Sequence, residues 1–210
     1  MVNTKNMNIA QKYSHLNGEE YLWYHHRKLY TEIKNVIKGI TAEKHRTKES
    51  KEKRKLGKML LSPGEMNKTF AVEFEKLGWS ESRYSYYITT NRQLMQESLT
   101  LEAKAQKEYL IAHGEQNPIY SYNQTDFVKN KVALEVQFGK YSFVAYDLFV
   151  KHMMFFSGGK IDLGIEVLPT KKMQEQMSSG IAYFEGEVYN VLRHGRGNPP
   201  VPLLILGIEP

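Results

Sequence analysis

An alternating stretch between residues 132 and 138 constrains the fold of this chain more than any other feature. Its large apolar side chains recur at every second position, at Val132, Leu134, Val136 and Phe138. A period of two is that of a β-strand, so all four side chains would face the core of the protein. Glu135 and Gln137 would then share the opposite face of the same strand.

A further acidic residue, Asp126, precedes Glu135 by nine residues. This separation allows a turn or short strand to fold back and bring the two carboxylates together. Two carboxylates beside a polar group suit a divalent cation such as Mg²⁺. The spacing therefore predicts metal ligands at Asp126 and Glu135, with Gln137 beside them. Two ordinary interpretations stay open, because half-buried strands carry polar residues on their wet face and Asp is common in turns.

The length of 210 residues favours one domain, residues 1–210, with a single core. Hydrophobic residues make up 41% of the chain and aromatic residues 12%, which excludes global disorder. The chain has no cysteine, which excludes disulfides and thiolate metal sites.

The segment from Met1 to Ser14 is polar and lacks the apolar region of a signal peptide. No apolar run approaches the roughly 18 residues of a membrane span. We therefore expect a cytoplasmic protein with no membrane partner.

Positive charge is concentrated between residues 44 and 58, which contain eight Lys or Arg and two Glu. The local charge equals the formal net charge of the whole chain, +6. A concentrated basic segment suits a polyanion such as DNA, because each neutralised phosphate releases counterions. A solvated surface rich in Lys and Glu is the alternative interpretation. Periodicity does not decide between a helix and a loop for this segment.

Helix signals recur along the chain. Asn17 and Glu20 form a possible capping box for a helix ending near Gly39, and Ser62 followed by Pro63 starts another. Thr90 and Gln93 are a possible capping pair for one or two helices reaching Gly114. Further helical patterns cover 141–156, 170–177 and 183–192.

Strand patterns cover 79–90, 161–169 and 201–208, besides the alternating stretch. A loop is expected at 114–121, around Asn117-Pro118. Strands separated by helical segments predict an α/β sheet flanked by helices.

Several separated segments resemble one enzyme family. They are Tyr122–Lys129, Glu135–His152, Arg46–Lys53, Ser178–Ile181 and Pro202–Pro210. Together they resemble the BglII/BamHI-like branch of the type II restriction endonucleases, and the resemblance is nearly full-length. It implies a PD-(D/E)xK nuclease with an α/β fold, in which a central mixed β-sheet is flanked by helices.

The resemblance also implies an activity and its partners. Such an enzyme cuts double-stranded DNA with Mg²⁺ at a short palindrome centred on GATC, here expected to be RGATCY. It acts in the bacterial cytoplasm as part of a restriction-modification system, paired with a methyltransferase that protects the host genome.

The family pattern gives roles to the residues of the alternating strand. Asp126 and Glu135 would hold the metal, and the backbone carbonyl of Phe138 would add a ligand. Gln137 stands where most such nucleases carry Lys, although the BglII-like branch tolerates Gln. A neutral amide cannot act as a general base, so Gln137 would orient the attacking water.

Candidate DNA contacts lie in four regions. By resemblance, Lys140 and the Ser178–Ser179 pair face the bases, where donors match guanine and adenine edges. Further candidates are Arg193, Arg196, Lys48 and Lys51. For any single Lys or Arg, contact with a phosphate is the commoner role.

The helix expected at 141–156 has a broad apolar face. By resemblance it takes part in a homodimer, which also matches the two equivalent halves of a palindrome. The alternative is that this face is buried within one chain.

Two other functions remain compatible with the sequence. One is a nuclease of the same fold that recognises another palindrome or nicks one strand. The other is a sequence-specific DNA-binding protein whose catalytic centre has decayed. Magnesium-dependent cleavage separates these classes.

Overall fold

The computed structural model describes residues 6–210, so residues 1–5 of the segment expected to lack a signal peptide lie outside it. The strands are β1 (Asn8–His15), β2 (Lys48–Glu49), β3 (Met59–Leu60), β4 (Ser80–Ile88), β5 (Ile119–Lys129), β6 (Val132–Val136), β7 (Leu163–Pro169) and β8 (Leu203–Glu209). The helices are α1 (Gly18–His25), α2 (Arg27–Gly39), α3 (Pro63–Lys76), α4 (Arg92–Ser98), α5 (Ala103–Ala112), α6 (Tyr141–Tyr146), α7 (His152–Ser157), α8 (Lys171–Gln174) and α9 (Phe184–Arg193). A π-helical turn, Asp147–Lys151, joins α6 to α7.

The described chain divides into two compact units. The first comprises residues 6–80 and Asp126–Pro210, and the second comprises Glu81–Thr125. The single domain expected from chain length stays a prediction.

A mixed sheet with the order β1-β8-β7-β6-β5 forms the centre of the first unit. Strands β6, β7 and β8 run parallel, whereas β1 pairs with β8 and β5 with β6 in antiparallel fashion. The expected α/β fold, a central mixed sheet flanked by helices, is confirmed.

Apolar layers cover both faces of this sheet. All four large side chains of the alternating stretch lie in one core, together with Ile33 of α2 and Phe70 of α3. The other core joins Leu203 and Ile205 of β8 to Val144 and to Val191 of α9. Parallel strands buried on both faces read as nearly continuous apolar runs, as β7 and β8 do. Glu135 of β6 and Glu166 of β7 are the acidic residues within these parallel strands, and both are fully buried.

Two helix starts differ from the prediction. The helix expected between Asn17 and Gly39 is broken at His26, whose φ of −133° is not helical. Asn17 has a left-handed φ of 60° and its side chain caps nothing, so the Ser14 hydroxyl accepts a hydrogen bond from the Glu19 amide instead. Asn91 rather than Thr90 caps α4, because the Asn91 side chain accepts hydrogen bonds from the amides of Gln93 and Leu94.

The strands also bring corrections. Strand β1 was not predicted, because its polar sequence has no apolar alternation. The loop expected at 114–121 ends earlier, since β5 begins at Ile119. Asp126 therefore lies inside a strand and not in a turn before one. The basic segment forms neither a helix nor a simple loop, since β2 and β3 pair around a 3₁₀ turn at Lys53–Lys55.

The second unit contains α4, α5, most of β4 and the first part of β5, with β4 and β5 hydrogen-bonded neighbours. The buried Gln106 side chain of α5 accepts a hydrogen bond from the Tyr87 amide at 2.7 Å, which ties helix to strand. Every helix in residues 6–210 is too short or too polar to span a bilayer.

Candidate active site

A tight hairpin places Asp126 beside Glu135. Asn130 and Lys131 both adopt positive φ, 49° and 62°, the conformation of a two-residue turn between antiparallel strands. The register pairs Phe127 with Leu134, and its continuation sets Asp126 opposite Glu135. The Asp126 amide donates a hydrogen bond to Oε1 of Glu135 at 3.2 Å. The two carboxyl residues therefore lie next to each other on neighbouring strands.

The two residues differ in exposure. Asp126 is exposed to solvent, whereas Glu135 is fully buried. One carboxylate is thus available at the surface while the other is held inside the sheet.

Gln137 is oriented by an acidic residue that the sequence analysis did not single out. Its backbone amide donates to the Val167 carbonyl at 3.0 Å, which continues the sheet pairing beyond β6. Its side-chain Nε2 donates to Oδ2 of Asp147 at 2.5 Å. An ionised carboxylate only accepts hydrogen bonds, so Asp147 fixes which end of the amide faces it. The Gln137 carbonyl oxygen is left as an acceptor.

Lys151 is the second residue that the sequence analysis missed. Its Nζ lies 2.8 Å from Oε1 of Glu135 and 2.7 Å from Oδ1 of Asp147, and only 9% of its side chain is exposed. Asp147 and Lys151 open and close the π-helical turn, an irregularity that is frequent at functional sites. The sequence signal that could have identified these two residues is their spacing, because Asp147 and Lys151 are oppositely charged and four residues apart in a strongly apolar helical segment.

The buried charges influence one another. Burial raises the pKa of Glu135 to about 8, although Lys151 opposes that shift. Burial also raises the pKa of Asp147, again against Lys151. Burial alone would lower the pKa of Lys151, but Glu135 and Asp147 outweigh it and raise that pKa above its ordinary value. The two neighbouring carboxyl groups therefore favour the charged form of Lys151.

A second buried pair lies on the next strand. Glu166 of β7 is the register partner of Glu135, and its Oε1 lies 2.8 Å from Nε2 of His152. Burial lowers the pKa of His152 to about 3, and burial with three neighbouring carboxylates raises the pKa of Glu166 well above its usual range. Within the described chain, Oε2 of Glu166 and Nδ1 of His152 have no hydrogen-bond partner.

The site offers oxygen ligands for a divalent cation. Asp126 and Glu135 are two carboxylates, the number that magnesium commonly takes from a protein. Among residues 6–210 no third His, Asp or Glu completes a metal-binding group with them. The remaining ligands would be the backbone, water and substrate phosphate. Phe138 buries its ring against Phe70, with centroids 5.8 Å apart, so its backbone is firmly held.

Comparisons with known proteins assign the family. The model of the restriction endonuclease BglII/BglIII family matches residues 10–208. The chain belongs to this family. It is a type II restriction endonuclease that acts on DNA. No curated protein sequence matches it.

Solved structures of BglII share the fold of this family member. A crystal structure of BglII complexed with a DNA 16-mer is 19% identical, with a TM-score of 0.56, and the match covers 94% of this chain and 74% of that one. A crystal structure of free BglII is 15% identical, with a TM-score of 0.55 and coverage of 94% and 77%. Both support the PD-(D/E)xK fold.

Two of the regions expected to contact DNA adjoin each other in this BglII-family endonuclease. The basic segment packs on the loop after α8, where Lys55 donates to the carbonyls of Glu175 and Met177, each at 2.8 Å. Glu52 accepts hydrogen bonds from the backbone and hydroxyl of Ser179 at 2.7 and 3.0 Å. Lys48 and Lys51 are exposed on the same segment.

Lys140 joins this group through the backbone. It forms an isolated β-bridge with Ile181, just after the Ser178–Ser179 pair. A cavity of about 680 Å³ adjoins the loop, and its lining includes Ser179, Glu52 and Lys171. The structure thus brings the segments of Lys140, Ser178–Ser179 and Lys48–Lys51 together.

Arg193 and Arg196 lie elsewhere, at the end of α9. The Arg193 guanidinium lies over the Tyr189 ring, 5.7 Å from its centroid. Arg196 lines a cavity of about 320 Å³ with Tyr13 of β1. Both arginines are exposed, and their contact with DNA stays a prediction.

Proposed function

We propose that this endonuclease hydrolyses phosphodiester bonds in double-stranded DNA at a short palindrome centred on GATC, with RGATCY as the expected site and Mg²⁺ as the cofactor. The observation that carries the proposal is the placement of Asp126 opposite Glu135, with Gln137 two residues further along the same strand.

Each proposed site residue has a task that follows from its position. Asp126 and Glu135 hold the cation, and the Phe138 carbonyl adds a backbone ligand. When bound, Mg²⁺ activates water and neutralises charge on the phosphate and the departing oxygen. The Gln137 carbonyl, left as an acceptor by Asp147, accepts a hydrogen bond from the attacking water and orients it.

Recognition is proposed to rest on the grouped segments of Lys140, Ser178–Ser179 and Lys48–Lys51, with Arg193 and Arg196 at the end of α9 as additional contacts. Lys140, Ser178 and Ser179 read base edges in the major groove. Lys48 and Lys51 neutralise phosphates, as do Arg193 and Arg196.

The proposed assembly is a homodimer. The side chains of Tyr141, Phe143, Tyr146 and Val150 are exposed along the helical segment after the catalytic strand. An apolar face of this kind suits a second copy of the chain, and a two-fold dimer matches a palindrome. A cognate methyltransferase in the same bacterial cytoplasm completes the proposal, because host DNA would otherwise be cut.

Digestion of a plasmid of known sequence tests this function. We expect discrete fragment ends at GATC-centred sites with Mg²⁺ and none with EDTA. Sequencing of the ends gives the outer bases and the cut position. Cleavage at unrelated sites would overturn the proposed target, and DNA binding without cleavage would overturn the proposed reaction.

Substitution of the carboxylates tests the site. Asp126→Asn and Glu135→Gln should each lower the cleavage rate by at least about 10³-fold, because each loses a charged ligand. Binding to the same duplex in Ca²⁺ should remain, as measured by gel shift. Glu73→Gln, which changes a half-exposed carboxylate of α3 paired with Lys76, is the matched control and should cut normally. Full activity in Asp126→Asn would refute the assignment.

A further inference from the structure

The buried Lys151 ammonium occupies the position next to Glu135 where a cation would be bound. Nζ is within 2.8 Å of both Glu135 and Asp147, the distance of a charge-assisted hydrogen bond. Two acidic residues, Glu135 and Asp147, meet at this one cation, and Asp126 lies beside Glu135 on the neighbouring strand. Lys151 is therefore the internal counter-charge of the site.

The helix holds this cation firmly. Leu148 and Phe155, on either side of Lys151, are fully or almost fully buried. Asp147 is tied in turn to Gln137 through its second oxygen. Lys151 has two carboxylate partners, so it can leave Glu135 and keep Asp147.

A divalent cation at Glu135 would meet a like charge at close range. Two positive charges within a few ångströms in a poorly solvated site repel each other strongly. Metal and ammonium therefore compete for the same carboxylate oxygen. Negative charge from a substrate phosphate would shift this competition towards the metal.

We propose that Lys151 is the resident cation of the metal-free site and that a divalent metal binds by displacing its ammonium from Glu135, leaving it paired with Asp147. This inference rests on the proposed metal site at Asp126 and Glu135. It makes Lys151 a positioning residue that weakens metal binding in the absence of DNA.

The test is calorimetric titration of the DNA-free protein with Ca²⁺ at pH 8.5, where protons compete least. Lys151→Met, which keeps the length of the side chain and removes its charge, should bind Ca²⁺ at least about tenfold more tightly than wild type. Lys76→Met removes an exposed lysine paired with Glu73 on α3 and should match wild type. Equal or weaker Ca²⁺ binding by Lys151→Met overturns the inference, and so does absence of binding.

Two further variants guard against misfolding and a misplaced site. Lys151→Gln keeps hydrogen-bond donors for the carboxylates without the charge, and it should also bind Ca²⁺ more tightly than wild type. This variant replaces Lys151→Met in the test if circular dichroism shows that Lys151→Met does not fold. Adding Asp126→Asn to either variant should abolish the gain, and a gain that persists places the metal elsewhere and contradicts the inference.

The inference and the proposed function fail in different ways. If Asp126→Asn cuts DNA normally, the proposed site is wrong. If wild type cuts with Mg²⁺ and loses cutting in Asp126→Asn, while the Lys151 variants bind Ca²⁺ no better, only the displacement of Lys151 is wrong.

Discussion

Glu166 is a carboxyl group enclosed by the central strands, and its protonation links stability to pH. Its pKa is raised well above the usual range by burial and by Asp147, Glu135 and Asp126. The unfolded chain releases this proton near pH 4.5, whereas the folded chain keeps it to higher pH. The stabilising contribution is therefore complete below about pH 4.5 and is lost as pH rises towards the raised pKa.

Replacement of Glu166 by Gln should flatten this dependence. The amide is neutral at every pH and retains hydrogen-bonding groups for His152, so the folded state no longer depends on that proton. We expect wild type to lose at least about 1 kcal/mol more stability than Glu166→Gln between pH 5 and pH 8. Urea unfolding at the two pH values measures this difference. Parallel losses in the two proteins would show that Glu166 is ionised in the fold.

Residues of the site differed in how well sequence could find them. Asp126 and Glu135 are nine residues apart and joined by one hairpin, so local spacing sufficed to pair them. Asp147 and Lys151 reach the same point from a helix that follows the strand. The charged pair within an apolar helix hinted at a special role, but it did not show where that helix packs on the sheet, which depends on contacts between distant parts of the chain.

Elements with a strong local signal were predicted well. Pro63 marked the start of α3, and the apolar runs marked β6, β7 and β8, because each signal is contained in a few consecutive residues. Strand β1 was missed because an edge strand exposes one side and carries polar residues. Its partner, β8, lies almost 200 residues further along the chain.

Close approach of α7 to β7 requires glycine at position 164. An added Cβ would lie 2.7 Å from the His152 ring and 2.7 Å from the Leu203 side chain, both buried. Gly164→Ala should therefore destabilise the protein by about 1–3 kcal/mol, through forced displacement of buried groups.

A glycine with open surroundings provides the comparison. An added Cβ at Gly64 of α3 meets nothing within 4 Å. Gly64→Ala should leave stability unchanged or raise it by up to about 1 kcal/mol, because alanine favours the helix. Denaturant midpoints of the two variants test the pair, and equal midpoints would contradict the packing described for His152.

At the scale of the whole molecule, the proposed dimer determines how a palindrome is read. Phe143 is 61% exposed on the helical segment expected to meet a second copy. Phe143→Ser should weaken self-association at least about tenfold, because burial of an aromatic side chain is lost. Analytical ultracentrifugation over a range of concentrations measures this change.

The matched control is Leu99→Ser in the second unit, where an apolar side chain is similarly exposed at 62%. It should associate like wild type. A monomeric wild type, or equal weakening by both variants, would contradict the proposed dimer face.

The position of β8 between β7 and β1 has a consequence for biosynthesis. During translation, residues 8–15 leave the ribosome long before residues 203–209, which alone can pair with them in the sheet. Strand β7 pairs with the same strand, β8, on the side away from β6. A nascent chain that has not reached residue 203 therefore lacks the strand that joins β7 to β1, and the sheet that contains the β5–β6 hairpin is completed only late in synthesis.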